Sequence, residues 1–323
     1  MRWSNLLFLL RGEPMKIKDV ILTFILLIFV IFVYVCREDI AKTAVQTYMH
    51  FETLNTPKSN VYSDSFTFEL VQKTDDFHVK DYQGLLDTIY TILDSGASEF
   101  SFYCDSSYNK CMDDFENLSK NQALLSTINN MISPYNSYAK ISFSYNSYGK
   151  ITLSVDKLYS DEEIKLIENK IDDFMNKNIK DEMIITDKIK AFHDYLINNS
   201  VYDKARADII ESGNNVTDSN SHKAIGPLID GISLCSGYSD AMKIYLDKLH
   251  VSNYKVANDK HIWNLVNVDN KWLHIDLTWD DPVTNTGQNL LLHKFFLIDT
   301  NTLLKLDSTS HNFNKDYYPE LSH

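Results

Sequence analysis

Residues 261–277 read HIWNLVNVDNKWLHIDL, and this stretch decides the fold of the C-terminal part of the chain. Apolar residues alternate on either side of Asp269 and Asn270, a pair that favours a two-residue hairpin turn. The pattern predicts two antiparallel strands, at residues 262–268 and 271–277. In this register His261 and Asp276 become diagonal neighbours on one face of the sheet, because side chains two apart share a face.

The pair of His261 and Asp276 has the parts of an acid–base couple. A carboxylate beside an imidazole accepts its N–H, fixes its tautomer and favours the protonated ring. Two other interpretations stay open, since His261 could be a satisfied structural histidine and Asp276 a turn or capping residue. Periodicity alone does not show whether a nucleophile meets this hairpin.

A second stretch, residues 231–249, reads GISLCSGYSDAMKIYLDKL and supplies a nucleophile of the right type. Its apolar residues recur at helical spacing, which predicts a helix with Cys235 in the first turn. The free N–H groups and the dipole at a helix start favour the thiolate form of Cys235 and could hold a developing oxyanion. The alternative is an inert buried cysteine, the commoner fate of a lone Cys.

Three sequence blocks together resemble the core of the bacterial transglutaminase-like superfamily. They are LCSGYSDAMKIYL, HIWNLVNVDNKWLHIDLTWDDP and HKFFLID, at residues 234–246, 261–282 and 293–299. The resemblance extends from about Ile189 to the C-terminus. The region before it is similar to the N-terminal extension of bacillus- and clostridium-type members, in FYCDSSYNKC and PYNSY. The resemblance implies an α+β fold with a papain-like transglutaminase core, in which the helix carrying the cysteine packs on an antiparallel sheet.

The resemblance also implies residue roles. Cys235 corresponds to the nucleophile, His261 to the general base and later general acid, and Asp276 to its orienter. A thioester would form at a glutamine side chain or another amide bond, and an amine or water would resolve it. No side-chain oxyanion donor is identified. Residues expected to shape the substrate site rather than react are Trp263, Asn264, Gly237 and Tyr238.

A metal site is the weaker interpretation of the same residues. His274 shares the predicted face of His261 and Asp276, and with Cys235 these could bind zinc. No metal-binding spacing supports such a site, so we predict neither a metal nor another cofactor. The aspartate pairs at residues 113–114 and 280–281 do not match a calcium loop and are expected to be solvated, those at 280–281 with a structural role beside Trp279.

The N-terminal part of the chain predicts membrane attachment. Residues 20–36 carry no charge and predict a transmembrane signal anchor, with residues 1–19 in the cytoplasm because Lys16 and Lys18 precede it. A cleaved signal peptide is the rival interpretation. Met15 offers a second start site, which would remove residues 1–14 from the protein.

The rest of the chain is predicted to lie outside the cell. Residues 37–60 predict a stalk, residues 61–180 a smaller α/β accessory domain and residues 181–323 the transglutaminase-like catalytic domain. Cys104 and Cys111 are close enough in sequence for a disulfide in an oxidising exterior, although two unpaired thiols are equally compatible with the spacing. The polar residues 204–223 predict a mobile loop.

These observations lead to one functional expectation and one alternative. The expected protein is an extracellular, membrane-attached cysteine enzyme that transfers or hydrolyses protein or peptide amides, with the cell envelope as a source of substrates. The alternative is a catalytically silent binding or scaffold module with the same fold. Nucleic acid partners are excluded by the net charge of −13, because an acidic surface repels phosphates.

Overall fold

We analysed the protein in a computed structural model that describes residues 17–214, 219–283 and 290–322. The chain divides into two units, Met1–Thr53 and Leu54–His323. The predicted alternative start sites and most of the predicted cytoplasmic segment lie outside the described residues.

The described residues of the N-terminal unit form two helices, α1 (Ile17–Val35) and α2 (Arg37–Phe51). In the described part of the chain, no single helix is long and apolar enough to cross a bilayer. Only α1 and α2 together meet that test, and the pair is bent by 65°. The uncharged segment is short, because 17 residues at about 1.5 Å each fall below a hydrocarbon core of about 30 Å. The predicted single span at residues 20–36 is therefore not confirmed.

The second unit begins with a four-stranded sheet of order β1-β2-β4-β3 and the helices that cover it. β3 and β4 form a hairpin, and Ser160 and Glu163 form a capping box at the start of α6. The elements are β1 (His78–Val79), α3 (Tyr82–Ser95), β2 (Glu99–Cys104), α4 (Cys111–Lys120), α5 (Gln122–Met131), β3 (Tyr138–Tyr145), β4 (Lys150–Lys157) and α6 (Asp161–Asn178).

A disulfide joins Cys104 and Cys111, whose Cα atoms are 5.8 Å apart. It connects the end of β2 to the start of α4 and decides between the two alternatives that the sequence left open. The two remaining cysteines, Cys36 and Cys235, are free.

The sequence predicts a mobile loop at residues 204–223. The structure instead has the helix α8 (Lys204–Glu211) at the start of this segment, after the helix α7 (Ile185–Asn199). Asp203 caps α8 by accepting the backbone N–H of Arg206, a local signal that the polar composition obscured. Between α7 and α8, β5 (Val201–Tyr202) pairs in parallel with β6 (Ile232–Ser233).

The second large sheet is antiparallel, with the order β10-β9-β8-β7. The predicted register is confirmed at the turn, where Val268 pairs with Lys271 and where Asp269 and Asn270 have φ values of 53° and 61°. The strands and helices of this part are α9 (Cys235–Lys248), β7 (Asn253–Ala257), β8 (Ile262–Val268), β9 (Lys271–Ile275), α10 (Leu277–Asp280), β10 (Phe296–Ile298) and α11 (Thr300–Leu306).

The two sheets share a hydrophobic core. Phe102 and Leu153 of the first sheet belong to the same buried cluster as Tyr254 and Trp263 of the second. Residues 61–180 and 181–323, predicted as two domains, therefore pack together within the unit Leu54–His323. A second buried cluster contains α6, α7 and the apolar face of α9. The fold is a mixed α and β fold, as predicted.

Candidate active site

The hairpin of β8 and β9 brings His261 and Asp276 together. His261 directly precedes β8 and Asp276 directly follows β9, so the confirmed register places both at the same end of the hairpin. His261 Nε2 lies 2.5 Å from Asp276 Oδ2. Burial lowers the pKa of His261, but the Asp276 carboxylate and then Cys235 raise it, to about 10. The imidazole is thus held as a cation at neutral pH.

Asp276 is a capping residue as well as the partner of His261. Its Oδ1 accepts the backbone N–H groups of Thr278 and Trp279, which ends β9 two residues earlier than predicted and starts α10. Its Oδ2 faces His261. Burial raises the pKa of Asp276, but the cationic histidine and hydrogen bonds outweigh burial and hold it well below its usual range. The two interpretations of Asp276 from the sequence, orienter and cap, are therefore compatible.

A second histidine, which was not among the residues predicted from the sequence, contacts the same carboxylate oxygen. His311 is fully buried, and its Nε2 lies 2.8 Å from Asp276 Oδ2. Its Nδ1 lies 3.2 Å from the backbone carbonyl of Asp307. No periodic or motif signal marks His311, because it lies in an irregular segment after α11 and meets Asp276 across 35 residues of chain. This histidine therefore holds the Asp276 carboxylate together with His261.

Cys235 begins α9, as the sequence predicts, and no side chain caps that helix. Ser239, one turn further along α9, joins the helix to the hairpin. Its hydroxyl lies 2.7 Å from the carbonyl oxygen of Cys235 and 3.0 Å from that of Ile262, beside His261. This contact fixes the start of α9 against the start of β8.

The thiol and the imidazole meet at this junction. A hydrogen bond with Cys235 and the charge of its sulfur are among the causes that raise the pKa of His261. Because Nε2 of His261 binds Asp276, Nδ1 is the ring nitrogen that remains available to the sulfur of Cys235. The structure thus brings together all three residues that the sequence assigned to catalysis.

Trp263 and Asn264 lie behind the site instead of lining it. The indole of Trp263 stacks against the His261 ring, with centroids 5.5 Å apart, and donates its N–H to His274 Nδ1 at 3.0 Å. Asn264 is buried and donates to the carbonyl of Ser239 at 2.9 Å. Both side chains therefore pack behind His261 and the first turns of α9.

Gly237 and Tyr238 also have packing roles. A Cβ on Gly237 would lie 2.5 Å from the carbonyl oxygen of Ser221 and 2.7 Å from Ser233 Oγ, so only glycine allows this close approach of α9. Tyr238 is buried and donates to Asp281 Oδ2 at 2.6 Å. The predicted shaping of the site by these residues is thus indirect.

The alternative zinc site with His274 has no geometric support. His274 is fully buried, with Nδ1 accepting from Trp263 and Nε2 3.0 Å from Thr300 Oγ1. Burial lowers its pKa to about 3, so the ring is neutral and both nitrogens have partners. His311 occupies the place beside Asp276 that the alternative gave to His274.

The prediction that Asp280 and Asp281 are solvated is wrong. Asp280 accepts the backbone N–H groups of Lys294 and Phe295 and is fully buried. Asp281 is buried against Tyr238. The turn of α10, set by the Asp276 cap, directs both carboxylates into the protein.

A cleft of about 890 Å³ opens beside His261. Tyr202 and Trp279 form part of its lining, while Cys235 lies next to it rather than in its lining. Burial, and then the negative charge of Cys235, raise the pKa of Tyr202 far above its ordinary value. The Tyr202 phenol therefore stays protonated and is a hydrogen-bond donor close to the sulfur.

The solved structures include a weak structural neighbour of this chain. No protein-family profile and no curated protein matches the chain. A solved structure described as "Crystal structure of a TGase" is 19% identical over 46% of this chain and 46% of its own, with a TM-score of 0.33. A score of this size does not by itself establish a shared fold. The described residues define a mixed α and β protein with a cysteine, a histidine and an aspartate gathered where a helix meets an antiparallel sheet.

Proposed function

We propose that this chain is a transglutaminase-like cysteine enzyme that acts on protein or peptide amides through a thioester on Cys235. The observation that carries the proposal is the 2.5 Å contact between His261 Nε2 and Asp276 Oδ2, with Cys235 near enough to the same imidazole to raise its pKa. A nucleophile, a base and an orienter of that base are the three parts of an activated thiol.

The raised pKa of His261 sets the order of proton transfers. The cationic ring pairs with the Cys235 thiolate, which attacks the amide carbon directly. The tetrahedral intermediate then breaks its C–N bond, and His261 gives its proton to the leaving amine or ammonia. In the second half, neutral His261 takes a proton from water or an amine, which attacks the thioester and releases the sulfur.

Two features support stabilisation of the intermediate's oxyanion. The first turn of α9 presents backbone N–H groups that no side chain caps. Tyr202 adds a protonated phenol on the side of the cleft that His261 lines. Donors held in place before the reaction are the most effective form of such stabilisation.

The location that we propose is the outer face of the cytoplasmic membrane, with protein or peptide substrates of the cell envelope. The apolar α1 helix and the Cys104–Cys111 disulfide support this placement. Disulfides persist mainly in oxidising compartments. The unit Leu54–His323 would then be extracellular and α1 would attach it to the membrane.

Alkylation of residues 54–323 across pH 4 to 9 tests the proposed nucleophile. This fragment has a single free thiol, because Cys104 and Cys111 are paired and Cys36 is excluded. We expect iodoacetamide to label Cys235 rapidly at pH values well below the ordinary thiol range of about 8.5. Cys235→Ala abolishes the label, and His261→Ala restores ordinary thiol behaviour.

Labelling that follows an ordinary thiol titration in the wild-type fragment contradicts the proposed ion pair and favours the binding-module alternative. If the ion pair is present, a glutamine peptide offered with and without a primary amine distinguishes acyl transfer from hydrolysis. Mass spectrometry of the peptide reads both products.

A further inference from the structure

A second histidine–aspartate cluster lies outside the proposed catalytic site. His193 and Asp194 are adjacent on α7, and His293 lies in the segment before β10. Asp194 Oδ1 is 3.0 Å from His193 Nδ1 and 2.6 Å from His293 Nε2. The three atoms all lie within 4.8 Å of one another, so three potential metal ligands converge on one point.

The hydrogen bonds of His193 require either a second proton on its ring or a cation beside it. Its ring is fully buried, with Nε2 3.2 Å from Asp280 Oδ2 and Nδ1 3.0 Å from Asp194 Oδ1. Carboxylates only accept, whereas a neutral imidazole donates from one nitrogen. Either the ring carries a second proton, or a cation lies between Nδ1 and Asp194.

Asp280 fixes the tautomer that a metal requires. Its Oδ1 is held by the backbone N–H groups of Lys294 and Phe295, which aims Oδ2 at His193 Nε2. Metal-binding histidines commonly donate their second N–H to a carboxylate in this way. The lone pair of His193 Nδ1 then points towards Asp194 and His293.

We propose that His193 Nδ1, His293 Nε2 and Asp194 Oδ1 bind a divalent transition-metal ion of the Zn²⁺ type. Two imidazoles and one carboxylate suit zinc, with water as the fourth ligand. A tetrahedron with bonds of about 2.0 Å has edges of about 3.3 Å, so Asp194 Oδ1 would move about 0.3 Å further from His193 Nδ1 and about 0.7 Å further from His293 Nε2.

The surroundings suit reversible binding. The side chain of His293 is 35% exposed and gives an ion access from solvent. Lys190 Nζ binds Asp194 Oδ2 at 2.6 Å, which leaves Oδ1 as the oxygen directed at the two histidines. The ion takes the place of imidazole protons, so affinity falls as pH is lowered.

A bound ion would connect three segments. It joins α7 to the segment before β10, and through Asp280 it reaches α10. The other end of α10 is capped by Asp276. The metal is therefore a structural clamp for the short helix that holds the catalytic carboxylate, and its existence does not depend on the proposed enzymatic activity.

Metal binding is tested on the full-length chain carrying Cys235→Ala, purified in mild detergent without a histidine tag. This substitution removes the free thiol of the unit Leu54–His323, and Cys36→Ser, present in every variant, removes the other thiol that would compete for zinc. After treatment with a chelator, calorimetric titration with Zn²⁺ should show one equivalent bound, and Co²⁺ should give the visible bands of a tetrahedral site. Adding His293→Ala should lower the affinity at least tenfold, and adding Asp280→Asn should lower it about 10- to 100-fold.

His78→Ala in the same background is the matched control, because His78 lies in β1 and should leave binding unchanged. The proposal is wrong if the Cys235→Ala protein binds no Zn²⁺. It is equally wrong if His293→Ala keeps full affinity while His311→Ala loses it, since zinc would then occupy the cluster of His261, Asp276 and His311. A thermal shift on adding Zn²⁺ that disappears with His293→Ala gives a second readout independent of activity.

Discussion

The two histidine–aspartate clusters have nearly the same composition but different surroundings. In each, one carboxylate oxygen faces two imidazole nitrogens, Asp276 with His261 and His311, and Asp194 with His193 and His293. Asp276 is only 1% exposed and its second oxygen caps α10. The side chain of Asp194 is 24% exposed and its second oxygen binds a lysine.

The comparison indicates that the residues around such a cluster, and not its composition, determine its chemical role. The first cluster meets a thiol at a helix start, and its carboxylate keeps an imidazole cationic beside a nucleophile. The second meets no thiol among the described residues, and the carboxylate of Asp280 instead orients one imidazole as a metal ligand. One cluster therefore has the parts for nucleophilic catalysis and the other the parts for a cation site.

The largest effect is expected from Asp276→Asn, which breaks the first cluster at its centre. An amide neither stabilises the cationic imidazole nor fixes the tautomer of the neutral ring, and turnover of an amide substrate should fall by about 10⁴. The rate of Cys235 alkylation at pH 6 should fall as well. Asp75→Asn, an exposed substitution, should leave both rates unchanged, and wild-type turnover in Asp276→Asn would remove this carboxylate from the mechanism.

Tyr202→Phe tests what the cleft contributes to the catalytic cluster. If the phenol donates to the oxyanion, its loss should lower kcat by about 10²- to 10³-fold. Alkylation of Cys235 has no oxyanion and should keep its wild-type rate. An equal loss in both assays would mean that Tyr202 supports the position of the thiol instead.

Substitutions of His311 test whether this residue positions the Asp276 carboxylate or only fills space in the core. Its hydrogen bond helps to hold the pKa of Asp276 below the usual range, so His311→Ala should raise that pKa and move the acid limb of the rate profile to higher pH. A lost hydrogen bond to a charged group costs about 1.5 to 3 kcal/mol, or roughly 10- to 100-fold in kcat at constant KM. His311→Gln retains an N–H donor and should recover part of the rate, whereas equal loss in both variants would indicate packing alone.

Gly237→Ala tests whether the close packing of α9, the helix that carries the Cys235 thiol of the first cluster, is required for stability. The added Cβ collides with the carbonyl of Ser221, so unfolding should become easier by about 1 to 3 kcal/mol in urea titrations. Gly84→Ala is the control, because its Cβ would meet only Asp81 Oδ1 at 3.3 Å and alanine favours a helix. Equal stability of the two variants would mean that α9 can shift without cost.

A further effect is a pH dependence of stability. The folded pKa of His261, about 10, lies above the ordinary value of 6.5, so its contribution to the free energy of unfolding is complete below about pH 6.5. It disappears as pH rises through about 10. The stability difference between wild type and His261→Gln should therefore shrink from pH 6.5 to pH 10 in urea titrations. A difference that stays constant over this range would show that the imidazole is not held as a cation.

The sequence by itself determined the local parts of the site. Alternation of apolar residues and the Asp269–Asn270 turn fixed the register that pairs His261 with Asp276, because a two-residue turn permits few alternatives. Helical spacing placed Cys235 at the start of α9. Both signals act over fewer than twenty residues, the range over which periodicity carries information.

Only the tertiary structure decided the contacts between distant segments. His311 reaches Asp276 across 35 residues, and His293 reaches Asp194 across 99, with no repeating pattern at either separation. The burial of Asp280 follows from the direction of α10, and the shared core of the two sheets follows from packing of Phe102 and Trp263 in one cluster. Such contacts depend on how whole elements pack, and side-chain packing leaves no local mark in the sequence.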